Sequence, residues 1–112
     1  MNLLLDTHLA LWAVGNSPRL PQAARALIGD EDNTVFVSVI TLWEIAIKHA
    51  RKGAPEMPVN AAEASAAFQA ATFRFLPVSP AHAIGIERLP AIHLDPFDRM
   101  LVAQALTEPM RL

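Results

Sequence analysis

Four carboxylates lie far apart in this chain, each where an apolar run gives way to a helix start. Asp6 follows Leu3-Leu4-Leu5, and Glu44 follows the run from Val35 to Ile40. Asp95 and Asp98 directly precede Met100-Leu101-Val102-Ala103. A strand that turns into a helix leaves its last residues at the carboxyl edge of a sheet, where open α/β sheets bind ligands. Acids gathered there repel one another unless a cation neutralises them. Hard divalent cations take oxygen ligands, and Mg²⁺ typically holds one or two carboxylates plus waters. The pattern points to a Mg²⁺ or Mn²⁺ site built from Asp6, Glu44, Asp95 and Asp98.

Each acid also has a plain structural reading. Asp6 ends a strand and can simply cap the next helix. Thr41-Leu42-Trp43-Glu44 matches a capping box, and Glu44 with Lys48 is an (i, i+4) pair worth only about 0.3 kcal/mol. Asp98 falls where a capping-box acid follows an N-cap at Asp95, and the helix dipole favours an acid there. What sets the group apart is its surroundings. Glu44 lies between Trp43 and Ile45, and Asp98 between Phe97 and an apolar run. A lone buried carboxylate is costly, and one shared cation removes that cost for all of them.

Thr7 and Ser38 adjoin these acids and are candidates to hydrogen-bond a metal-bound water or a ligand; as plain caps they need no such role. Lys48 and Arg99 are candidates to neutralise phosphate beside an acidic cleft. Together with Arg51 and Lys52 they are equally well read as helix charges. His8, His49, His82 and His93 form no i, i+4 pair and have no cysteine beside them, which argues against zinc. His93 reads as a loop residue. The four glycines leave no room for a phosphate loop, and no serine sits in a nucleophile elbow. Trp12 and Trp43 sit among aliphatics at helical spacing, where core or interface is the expected place rather than a base-stacking platform.

The 112 residues suit one domain, 53% of them are hydrophobic, and none is cysteine. That composition suits a buried parallel sheet or an apolar partner surface. No apolar stretch approaches the roughly 20 residues that span a bilayer, and the N-terminus carries no secretory pattern. A cytoplasmic protein is expected. The net charge of −2 excludes a general nucleic-acid coat, so contact with nucleic acid needs a local patch or an ion.

The elements that position these residues alternate. Asn2 to Leu5 reads as a buried strand. Asp6 or Thr7 caps a helix from His8 to Val14, and Pro21 opens another to about Ile28. Thr34 to Val39 is a second strand, followed by a widely apolar helix to about Lys52. Asn60 and Glu63 form a capping box for a helix to about Ala71. Phe73 to Val78 is a third strand, and Ser79-Pro80 opens a helix to about Leu89. Asp95-Pro96 starts a helix through Leu106. Met110-Arg111-Leu112 begins a fourth strand. Alternation of this kind predicts an α/β fold with a parallel sheet of about four strands flanked by helices.

With these residues in hand, the chain resembles the PIN-domain family, and within it the VapC-type toxin ribonucleases of toxin–antitoxin pairs. The matching segments are Leu3 to His8, Ser38 to Lys48, and Asp95-Pro96-Phe97-Asp98-Arg99 running on to Ala105. The resemblance implies an α/β/α sandwich over residues 1–112, and hydrolysis of RNA phosphodiesters with Mg²⁺ or Mn²⁺. It implies Asp6, Glu44 and Asp98 as the metal-site acids, Asp95 as their neighbour, a homodimer, and a cognate antitoxin that occupies the cleft. The family pattern continues into a further strand with a Thr-x-Asp-like segment. A chain that stops at Leu112 is expected to lack that strand or helix and its fourth acid, which puts a second metal in doubt. The alternative is an impaired copy that acts as an antitoxin-binding or dimerisation module. Leu3-Leu4-Leu5-Asp6-Thr7 also resembles an aspartyl-nucleophile phosphatase, but the second Asp such enzymes need is His8 here.

Overall fold

The computed structural model describes residues 1–51, 57–90 and 95–112. Among them, three strands form one parallel sheet in the order β1 (Asn2–Leu5), β2 (Thr34–Ser38), β3 (Arg74–Leu76). Between β1 and β2 run α1 (Thr7–Val14) and α2 (Gln22–Gly29). Between β2 and β3 run α3 (Val39–Ala50) and α4 (Ala61–Ala70). After β3 come α5 (Pro80–Gly85), a 3₁₀ turn (Ile86–Arg88) and α6 (Pro96–Thr107). No described helix is long and apolar enough to cross a membrane.

Side chains alternate across a strand, so an unbroken apolar strand must be covered on both faces. Leu3, Leu5, Val35 and Val37 point into one cluster with Ala10 of α1, Ile45 of α3, and Ala64 and Phe68 of α4. Leu4 points the other way, into a cluster with Ile40, Leu76, Leu101 and Ala105, backed by Phe36 and Met100. The result is the expected α/β/α layering, with α6 on the second face.

The expected fourth strand is reduced to a single parallel bridge. Arg111 pairs with Leu3, its N–H donating to the Asn2 carbonyl and its carbonyl accepting from the Leu4 N–H. β3 is shorter than expected because Pro77 has no N–H to continue the ladder. The helix after Ser79 tightens into the 3₁₀ turn past Gly85 instead of running regularly to Leu89. Neither tryptophan is core: Trp43 is 56% exposed and meets Phe97 edge-on, with ring centroids 5.4 Å apart. Lys52, His93 and parts of two expected loops lie outside the described residues.

Local signals set the helix starts that matter here. Asp6 caps α1 through the Leu9 N–H, Ser38 caps α3 through the Ile40 N–H, and Asp95 caps α6 through the Asp98 N–H. α6 is also tied to α5 by a buried polar group. His82 Nδ1 accepts from the Ser79 N–H, so its Nε2–H donates to Glu108 Oε2 at 2.6 Å.

The first cluster holds the starts of α1 and α3 in place. Phe68 is fully buried at its centre. Phe68→Ala is expected to lower unfolding free energy by about 3–5 kcal/mol, measured as a fall in the urea midpoint. A loss below about 1 kcal/mol would show that this cluster is not what packs α4 to the sheet.

Candidate functional site

β1 delivers Asp6 to the carboxyl edge of the sheet, and the cap of α1 fixes it there. α3 begins at Val39, so Glu44 lies in its second turn rather than in a capping box at Thr41. α6 points its first turn, with Asp95 and Asp98, at the same place. These four acids, with Thr7, His8, Lys48, Leu101, Val102 and Leu112, line one cleft of about 340 Å³.

Glu44 is the most buried of the four, at 4% exposure. Its burial is supported by two short bonds: the Thr7 hydroxyl donates to Oε1 at 2.6 Å, and Lys48 Nζ donates to Oε2 at 2.6 Å. The buried Thr41 hydroxyl stands 3.3 Å from that of Thr7. The (i, i+4) pair read from the sequence is therefore real, and it forms part of the cleft wall. Asp6 commits Oδ1 to the Leu9 N–H and Asp95 commits Oδ1 to the Asp98 N–H, each at 2.8 Å.

Asp98 records the crowding of charge. Burial pushes its carboxyl above the ordinary range, and the charges of Asp95, Glu44 and Asp6 push it further, with a side-chain hydrogen bond to Asp95 adding to the effect. The acids are therefore close enough to act on one another through a partly desolvated space.

No group of three His, Asp or Glu side chains among the described residues is arranged to hold a metal ion as placed. Three of the four carboxylates lean on a local donor: a cap N–H for Asp6 and Asp95, and a hydroxyl and an ammonium for Glu44. In kind, the donors fit a hard divalent cation, being carboxylate oxygens with no sulfur or histidine pair among them.

Two residues expected near the site are not in the lining. Ser38 is fully buried, with its hydroxyl spent on the Ile40 N–H. Arg99 turns away and donates to the carbonyls of Pro90 and Ile86. Two others were not singled out. His8 stands in the first turn of α1, two residues past Asp6, and that closeness was the available signal. Leu112 reaches the cleft through the Arg111 bridge, for which the sequence has no local signal.

Residues 3–112 match the family model for the PIN domain. This chain belongs to the PIN domain family, whose members are in general nucleases. Its fold is shared with a chain of the crystal structure of VapBC2 from Rickettsia felis bound to a DNA fragment from their promoter. That match has a TM-score of 0.61 at 15% identity and covers 98% of this chain and 84% of that one. No curated protein matches the sequence.

The electrostatics give two expectations for the metal-free protein. The folded state holds the Asp98 proton to higher pH than the unfolded chain does, so stability falls as pH rises from the unfolded carboxyl range through the folded value. Asp98→Asn removes that loss. At pH 7 its Tm is expected to rise relative to the parent, with the difference closing as pH falls below the unfolded carboxyl range. A lower Tm at pH 7 would contradict the crowding. Thr7→Val takes a donor from buried Glu44 and is expected to cost about 1–3 kcal/mol in chemical denaturation; a neutral result would mean Glu44 does not depend on it.

Proposed function

We propose that this chain is a metal-dependent endoribonuclease of the VapC type. In this reading it is the toxin of a type II toxin–antitoxin pair, acts in the cytoplasm and hydrolyses RNA phosphodiester bonds. The observation that carries the reading is the meeting of Asp6, Glu44, Asp95 and Asp98 in one cleft of a PIN domain. Asp6 and Asp98 would hold Mg²⁺ or Mn²⁺, with Glu44 and Asp95 beside them. When bound, such an ion supplies Lewis acidity at the phosphate and an acidified water for in-line attack.

The chain's own side chains prepare that site. Thr7 fixes Glu44 through its hydroxyl. Lys48 places an ammonium on the cleft wall, which offsets the Glu44 charge and attracts phosphate. Leu101, Val102 and Leu112 give the cleft apolar walls that exclude water and strengthen each charge interaction inside. Capping of α6 by Asp95 orients the turn that carries Asp98.

A cognate antitoxin and a homodimer complete the proposal. The fold likeness to a chain of the VapBC2 structure supports the first. Val39 and Trp43, exposed one turn apart on α3, supply an apolar surface suited to a second copy.

That no three acidic or histidine side chains among the described residues stand ready to hold a metal favours one second reading, an impaired domain that binds partners without catalysis. Metal separates the two. Mn²⁺ at a hundred times its Kd is expected to add about 2.7 kcal/mol of stability, read as a raised Tm. Chelation is expected to stop cleavage of RNA. Asp6→Asn and Asp98→Asn are expected to abolish cleavage with circular dichroism unchanged. Undiminished cleavage in both variants would end the catalytic assignment, and no Tm shift at millimolar Mn²⁺ would favour the impaired domain.

A further inference from the structure

His8 lines two cavities at once. One is the acidic cleft; the other is a groove of about 550 Å³ between α1 and α4. One turn along α1, about 6 Å further on, stands Trp12, its ring centroid 5.9 Å from that of His8 and tilted by 48°. Leu11 and Val14 of the same helix pack against the core, whereas Trp12 is in neither core cluster and is only half-buried. A large indole is thus spent on a groove wall. Arg19 lines the same groove and is exposed, with no hydrogen bond or ion pair to its guanidinium among the described residues. Glu63, the one carboxylate of the groove among the described residues, is drawn to the Asn60 N–H in the capping box.

We propose that this groove binds a nucleotide flanking the scissile phosphate of single-stranded RNA, its base stacked on the Trp12–His8 pair and a phosphate on Arg19. The proposal rests on the ribonuclease reading and adds the subsite that reading lacks. A chain of net charge −2 with an acidic cleft repels a polyanion, so contacts outside the cleft add affinity that the cleft by itself lacks. Stacking supplies it without charge and with little sequence preference, because every base has a π-face. His8 makes the groove continuous with the cleft, so one strand can occupy both.

The two tryptophans make the test direct. In W43F, Trp12 is the sole reporter. Its emission is followed while a hexameric RNA of mixed sequence is added in a chelating buffer that prevents hydrolysis, and anisotropy of a labelled hexamer gives affinity for W12A, W12F and R19A. Thermal melts confirm that each variant is folded. The expected results are quenching of Trp12 on saturation, a loss of about tenfold or more in W12A, and near-normal affinity in W12F. R19A is expected to weaken binding and to lower the salt slope by about one. Unchanged Trp12 emission, W12A binding as tight as the parent, or no binding at millimolar RNA would each overturn the proposal. So would a W12A protein that binds RNA normally but loses a protein partner, which assigns the groove to that partner. Cleavage by the parent protein, assayed separately with Mn²⁺, tests the ribonuclease reading whatever the groove does.

Discussion

Repulsion among like charges held at one edge of a sheet is the constraint that organises this molecule. Asp6, Glu44, Asp95 and Asp98 come from β1, α3 and α6, and each would sit comfortably alone on a helix end. Brought to one partly desolvated cleft, they raise the Asp98 carboxyl together with its burial. The fold holds them there with small local devices: three helix caps, a threonine hydroxyl and one ammonium. None of these cancels the net negative charge of the four. A protein that only needed stability would replace such a cluster with apolar or neutral groups.

Packing places the acids and local chemistry aims them. The leucines of β1 bury both faces of the strand and so pin Asp6 at its end. α6 is fixed from two sides, by Leu101 and Ala105 in the second core cluster and by the His82–Glu108 bond to α5. The four acids of the cleft therefore sit at a strand end, at helix starts and on a helix, all of them elements packed into the core. Function concentrated in such a place is what the carboxyl edge of a parallel sheet provides.

Much of this was legible in the sequence because the governing signals are local. The Asn60–Glu63 capping box, the Ser79-Pro80 start and the Asp95-Pro96 start all appear where their residue types require. So does the alternation of strands and helices, and with it the meeting of the four acids. What was not legible depends on direction and on long-range pairing. Arg99 adjoins Asp98 in sequence, but successive residues on a helix diverge by about 100°, which sends its guanidinium to the Ile86 and Pro90 carbonyls. Ser38 looked like a site hydroxyl because it precedes the Glu44 helix, and that same position makes it the buried cap. Trp12 read as core or interface because it sits among aliphatics at a helical position, and helix phase leaves it on the groove. The fourth strand dwindled to one bridge because pairing there rests on Arg111 alone.

The central claim is that these acids share one cation, and anomalous scattering from crystals grown with Mn²⁺ tests it most directly. The account predicts a peak in the cleft between Asp6 and Asp98, with carboxylate oxygens at roughly the 2.0–2.2 Å expected of hard-cation ligands of this size. It also predicts that Glu44 or Asp95 turns toward the ion from its present donor. A cleft without a peak at millimolar Mn²⁺, or an ion held elsewhere without Asp6 and Asp98, would contradict it.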